Sequence, residues 1–118
     1  MNPRVKALKR AAAQACALRD FRLAEFMEVW GLEEVLLEAD ATDMPTTEIA
    51  AQVLWRCCMT EGKFNNFQVG FLTVIKFLNE QLGVPPQGQQ QSLQDLVNIL
   101  KGGGPLGAVR KWMETHYP

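Results

Sequence analysis

The side chain best suited to acid–base or nucleophilic catalysis is a single histidine, His116, the third residue from the end of the sequence. Chain ends fray unless they dock onto the rest of a domain, which makes this imidazole a poor general base. Any Ser–His or Cys–His arrangement would depend on the same residue. The sequence therefore predicts that the protein is not an enzyme, with no catalytic residues and no small-molecule substrate.

Three cysteines could bind a metal or form a disulfide: Cys16, Cys57 and Cys58. Neighbouring side chains on a helix diverge by about 100°, so Cys57 and Cys58 do not converge on one ion. A structural zinc site needs four ligands, usually in closely spaced cysteine pairs, which this sequence lacks. We expect buried, free thiols, no metal and no cofactor. An odd number of thiols favours a reducing compartment, and the expected location is the cytoplasm.

Tryptophan and methionine side chains are the ones most suited to anchoring a protein partner. Trp55 and Met59 are four residues apart and lie off the main apolar face of their predicted helix. Trp112 is a further anchor candidate in the last predicted helix. Interface cores are enriched in such residues. Burial of these side chains between the helices of the domain is the alternative, and the sequence leaves both open.

Charge is divided unevenly along the chain. Residues 1–22 hold six of the twelve basic side chains, whereas residues 23–61 hold nine of the thirteen acids and one base. We expect the basic first helix to pack near the acidic segment that follows it. Alternatively, basic residues of this helix contact an acidic partner or nucleic acid: Arg4, Lys6, Lys9 and Arg10. Nucleic acid is not the expected partner, because these residues form no single stripe and much of the chain is acidic.

The spacing of apolar residues predicts α-helices nearly throughout, and no segment alternates with the period of a β-strand. The first helix begins near Pro3 and has one apolar side: Leu8, Ala11, Ala12, Ala15 and Leu18. The second has four apolar residues at i, i+3, i+4, i+7 spacing: Leu23, Phe26, Met27 and Trp30. Gly31 interrupts this pattern, which indicates either a kinked helix or two short helices.

The apolar centre of the domain is expected in the second half of the chain. A helix over about residues 47–61 precedes a helix over 65–82 that is apolar almost all round. Such a helix normally forms the buried centre of its domain. A flexible connection follows over 84–91, then a helix over about 93–100.

The predicted fold is an all-α, compact single domain over residues 1–118, built from six or seven short helices. The last helix begins at Pro105, and residues 115–118 are expected to form a frayed tail. No stretch approaches the roughly 18 apolar residues that a membrane-spanning helix needs, so no membrane span is expected.

The segment Leu54–Phe67 contains a helix that ends at Glu61-Gly62-Lys63-Phe64 before another apolar helix. With six helices in a chain of this length, the pattern resembles the death-fold superfamily, including the effector-associated domains of bacterial defence and signalling proteins. The resemblance covers a small part of the chain. It implies homotypic assembly through charged helix faces.

These observations favour binding over catalysis. The expected function is a non-catalytic protein–protein interaction module, such as an adaptor, regulator or assembly factor, that binds another protein or a second copy of itself. Apolar anchors would supply the contact, and the charge-segregated helices would orient it. Two alternatives stay open: a death-fold-like signalling domain, and a nucleic-acid-associated factor that uses the basic N-terminal helix.

Overall fold

The computed structural model describes residues 2–59, 64–83 and 105–117, together with Asp95 and Asn98. The helices in the described residues are α1 (Pro3–Leu18), α2 (Leu23–Val29), α3 (Leu32–Thr42), α4 (Thr46–Met59), α5 (Phe64–Leu82) and α6 (Leu106–His116). These residues contain no strand, and the prediction of an all-α domain is confirmed. The predicted connection over 84–91 lies outside the described residues, as does the helix over 93–100 apart from Asp95 and Asn98.

The centre of the domain is formed by α5, which packs against α1 and against α4. Five residues of α5 are fully buried: Val69, Thr73, Val74, Phe77 and Leu78. The prediction that this helix is the buried centre is confirmed. Helix α4 is buried to the same degree, since it also contacts α3 and α6. The radius of gyration of 13.0 Å is that of a compact single domain of this length.

Helix α1 begins where Asn2 Oδ1 accepts a hydrogen bond from the Arg4 N–H at 2.9 Å. Small side chains dominate its buried side, which allows close packing against α5: Ala7, Ala11, Ala12 and Ala15. Leu18 was expected on this side, but 66% of it is exposed. The reason is that α1 ends in this turn, where the N–H of Phe21 donates to the Cys16 carbonyl at 2.9 Å.

Helices α2 and α3 are two separate helices, which settles the alternative that the break at Gly31 left open. Gly31 has a φ of +58°, a left-handed conformation that glycine adopts without steric cost, and α3 begins directly after it. The apolar side of α3 is buried as its spacing predicts: Leu32, Val35, Leu36 and Ala39. On α2, Phe26 and Trp30 are buried, whereas Leu23 is 38% exposed.

Candidate functional site

A groove of about 760 Å³ lies where α1, α2 and the start of α3 meet. Its floor is apolar and belongs to one side of α2: Leu23, Ala24 and Met27. Gly31 and four charged side chains line the rest of it: Lys9, Glu28, Glu33 and Glu34. We call this site the α2 groove. Its concave shape and mixed apolar and charged lining are those of a site that can receive a ligand or a partner side chain.

The groove exists because the apolar stripe of α2 is divided between two surroundings. Phe26 and Trp30 turn into the core, where their rings meet edge to face with centroids 4.6 Å apart. Leu23 and Met27 lie one turn apart on the neighbouring side and line the groove, although Met27 also packs in part against the core. The i, i+3, i+4, i+7 spacing groups all four residues on one side of the helix, so this site was not predicted from the sequence.

The corner between α2 and α3 fixes the acidic side of the groove. From α4, Arg56 Nη1 donates to the Trp30 carbonyl at 3.1 Å, and Nη2 lies 3.3 Å from Glu34 Oε2. A Cβ at Gly31 would lie only 2.9 Å from that Nη1 atom. Glycine therefore permits both the turn and the close approach of the guanidinium.

Three charges on the groove have no ion pair within the part of the chain that the structure describes: Lys9, Glu28 and Glu33. All three side chains are exposed. Glu34 is paired with Arg56. The groove thus offers an apolar floor, two free carboxylates and one free ammonium group. With three glutamates against one lysine, the lining residues carry a formal charge of −2, which the Arg56 guanidinium paired with Glu34 reduces to −1.

The four basic residues predicted as a partner surface lie in different surroundings. Arg4 forms an ion pair with Asp43, and its Nε donates to the Met44 carbonyl at 2.8 Å. Arg10 forms an ion pair with Glu80 of α5. Lys6 is exposed, and Lys9 lines the α2 groove. Two of the four are therefore engaged within the chain, and one belongs to the candidate site.

The predicted anchors Trp55 and Trp112 are both partly buried against the hydrophobic core, and neither lines the groove. The Trp112 ring stacks on His116 with centroids 4.3 Å apart and lies 6.0 Å from the ring of Tyr117. The side chain of Met59 lies outside the described residues. The structure therefore places neither Trp55 nor Trp112 at the groove.

The groups that could do covalent or metal chemistry lie elsewhere in the fold. His116 Nδ1 lies 3.0 Å from the Trp112 carbonyl in the last turn of α6. Cys16 and Cys57 are buried and form no disulfide, as expected, and burial raises the pKa of the Cys16 thiol. The side chain of Cys58 lies outside the described residues. Within the described ranges, no three His, Cys, Asp or Glu side chains form a cluster that could hold a metal ion.

Comparisons of the chain with protein-family models, with curated proteins and with solved structures found no match. The resemblance to the death-fold superfamily therefore stays a prediction, and part of the segment that carries it, residues 60–63, lies outside the described residues. Among the helices of the described ranges, none combines the length and the apolar composition needed to cross a membrane.

Proposed function

We propose that this chain is a protein-interaction domain whose α2 groove receives a bulky apolar side chain flanked by basic residues of a protein segment. The observation that carries the proposal is the combination of the apolar floor with the free carboxylates of Glu28 and Glu33. Protein interfaces are commonly built in this way, with an apolar centre inside a polar rim.

The balance of energies favours a weak, oriented contact. Burying one leucine-sized side chain stabilises a complex by about 1.5–3 kcal/mol. Association costs at least several kcal/mol in lost freedom of motion, so a single anchor does not bind tightly. The charged rim therefore steers and orients the segment more than it tightens the complex.

The charge of the groove argues against a nucleic-acid partner at this site. The net negative charge of the groove repels phosphate groups, which proteins bind through Lys and Arg. Of the basic residues of α1, Arg4 and Arg10 are already paired with Asp43 and Glu80. A location in the cytoplasm stays a prediction.

The proposal is tested by selecting binders from a displayed library of random peptides against the wild-type domain. We expect enriched peptides to carry a bulky apolar residue with Lys or Arg beside it. They should lose binding to Leu23→Ser/Met27→Ser and to Ala24→Trp, which fills the groove without removing a core side chain. Chemical-shift changes on the labelled domain should centre on α2.

The matched control is Leu37→Ser/Leu82→Ser, which removes two exposed apolar side chains outside the groove. Circular dichroism verifies that each variant is folded. The proposal is wrong if the selected peptides bind the groove-filled Ala24→Trp variant as well as the wild type. It is also wrong if enriched peptides carry acidic rather than basic flanks.

A further inference from the structure

We infer that the segment received by the α2 groove belongs to a second copy of this chain, namely the turn of residues 18–22 between α1 and α2. This inference rests on the proposed function of the groove and names its occupant. The anchor is Leu18, which is 66% exposed at the end of α1.

The turn presents Leu18 from a fixed backbone. Asp20 adopts a left-handed conformation with a φ of 52°, and the hydrogen bond from the Phe21 N–H to the Cys16 carbonyl closes the helix end. The Phe21 side chain is packed against the core. Because the turn is held in this way, little conformational freedom is lost when it docks.

The free charges of the turn complement those of the groove. The turn exposes two bases and one acid that have no ion pair within the described residues: Arg19, Arg22 and Asp20. The groove exposes the reverse set: Glu28, Glu33 and Lys9. Docking the turn of one copy at the groove of another therefore supplies an apolar anchor together with charges of the required signs.

The other exposed leucines do not fit as well. Four large apolar side chains are exposed in the described residues: Leu18, Leu23, Leu37 and Leu82. Leu23 is part of the groove, and Leu37 stands beside Glu33, Glu34 and Glu38 on α3. Docking of Leu37 would place carboxylates against carboxylates. Leu18 is followed directly by Arg19, whereas neither Leu37 nor Leu82 has a basic residue within two positions in the sequence.

The contact is small and joins two different surfaces. A five-residue turn in one groove buries less than the roughly 1,200 Å² of a standard stable interface, so the association is weak and depends on concentration. Turn and groove are adjacent in the chain but share no residue, so each copy can donate one and accept the other. Exposed charges at the contact make it sensitive to salt.

The test is light scattering of the full chain at low salt, from about 10 µM to about 1 mM, the range in which a contact of this size assembles. We expect the average mass of the wild type to rise with concentration. Leu18→Glu has a defective turn and an intact groove, whereas Ala24→Trp has the reverse. Each variant alone should stay monomeric. Their equimolar mixture should form dimers but no larger oligomers, because it contains only one intact turn and one intact groove per pair.

Two further variants serve as checks on the same measurement. Arg19→Glu/Arg22→Glu should abolish assembly without removing an apolar side chain, and Leu37→Glu should leave assembly unchanged. Assembly that persists in Leu18→Glu or Ala24→Trp, or a mixture of the two that stays monomeric, overturns the inference.

A wild type that stays monomeric over the whole range also overturns it. The proposed function then stands or fails on the peptide selection. If selected peptides still dock in the groove of a monomeric domain, the occupant comes from another protein. If they do not dock there either, both proposals are wrong.

Discussion

Gly70 of α5 lies directly against Cys57 of α4. A Cβ at this position would lie 2.1 Å from Cys57 Sγ and 3.0 Å from Cys57 Cβ, which is far inside van der Waals contact. Both residues are buried, so neither can move into solvent. We predict that Gly70→Ala destabilises the domain by about 1–3 kcal/mol, the usual cost of overpacking a core, as measured by urea unfolding.

The control for Gly70→Ala is Gly107→Ala on α6, where an added Cβ would meet nothing within 4 Å. This variant should be as stable as the wild type or slightly more so, because alanine favours a helix over glycine. Cys57→Ala in the Gly70→Ala background should recover part of the loss, since it removes the sulfur that clashes. A Gly70→Ala variant as stable as Gly107→Ala would contradict the close approach of α4 and α5.

At the scale of secondary-structure elements, a bidentate ion pair between Arg110 and Glu48 joins α6 to α4. Arg110 Nε and Nη2 donate to the Glu48 carboxylate at 2.9 Å and 2.7 Å, and Gln52 Nε2 donates to it at 2.9 Å. Burial alone would raise the pKa of Glu48. The hydrogen bonds from Arg110 and Gln52 and the charge of Arg110 outweigh burial, and the pKa of this carboxyl is lowered.

The lowered pKa of Glu48 predicts how this pair responds to acid. Because the pKa is lower in the folded state than in the unfolded chain, the stabilisation is fully present above about pH 4.3, the ordinary Glu value. It is lost as the pH falls through the folded-state pKa. We predict that Glu48→Gln is less stable than the wild type at pH 7 and that this difference shrinks at about pH 3.

Urea midpoints of the two proteins across this pH range measure the effect, with Glu114→Gln as the control on an exposed part of α6. The stability of the control should fall with decreasing pH in the same way as that of the wild type. If Glu48→Gln runs parallel to the wild type down to acid pH, the carboxylate is not held ionised by Arg110.

Two helices are followed by an aspartate in the same left-handed backbone conformation, but the two side chains have different surroundings. Asp20 follows α1 with a φ of 52°, and Asp43 follows α3 with a φ of 51°. The Asp43 carboxylate pairs with Arg4 and so ties the end of α3 to the start of α1. The Asp20 side chain is exposed and stays available beside the arginines of the turn. The local sequence does not separate these two cases, because the difference lies in what packs nearby.

At the scale of the whole molecule, burial is concentrated in α4 and α5 and falls off toward α2. The centre of α4 is fully buried over Ile49–Ala51 and Val53–Leu54, and α5 is buried over Val74 and Phe77–Leu78. By contrast, α2 has only seven residues, and Leu23, Ala24, Glu25 and Glu28 are exposed. Local opening is easiest where few apolar contacts are lost.

We predict that amide hydrogen exchange of the native protein is slowest in the centres of α4 and α5 and fastest, among the helices named above, in α2. Exchange followed by NMR at neutral pH measures this order. A docked segment should slow exchange in α2 specifically, because it adds contacts to the least protected helix. Protection of α2 equal to that of α4 in the free protein would contradict the distribution of burial described above.

The sequence by itself determined the helices of this protein. The 3.6-residue period of apolar side chains was enough to predict α1 to α5 within a few residues, the break at Gly31 and the central position of α5. These features are local, because the pattern of a helix repeats within one or two turns of the chain. The burial of Cys57 was predictable for a similar reason, since this residue lies on the apolar side of its predicted helix.

The tertiary structure alone decided which residues meet. The partners of Arg4 and Arg10 lie 39 and 70 residues away, at Asp43 and Glu80, and many other acids were available. Periodicity likewise placed Leu18 and Leu23 on inward faces, whereas the ends of α1 and α2 leave them exposed.

The α2 groove follows from the same limit of local pattern. The spacing of apolar residues shows which side of a helix is apolar. It does not show how much of that side the neighbouring helices cover, because this depends on how the helices pack. Because α1 and α3 cover only part of the apolar side of α2, Leu23 and Met27 line a groove bordered by charges from three helices.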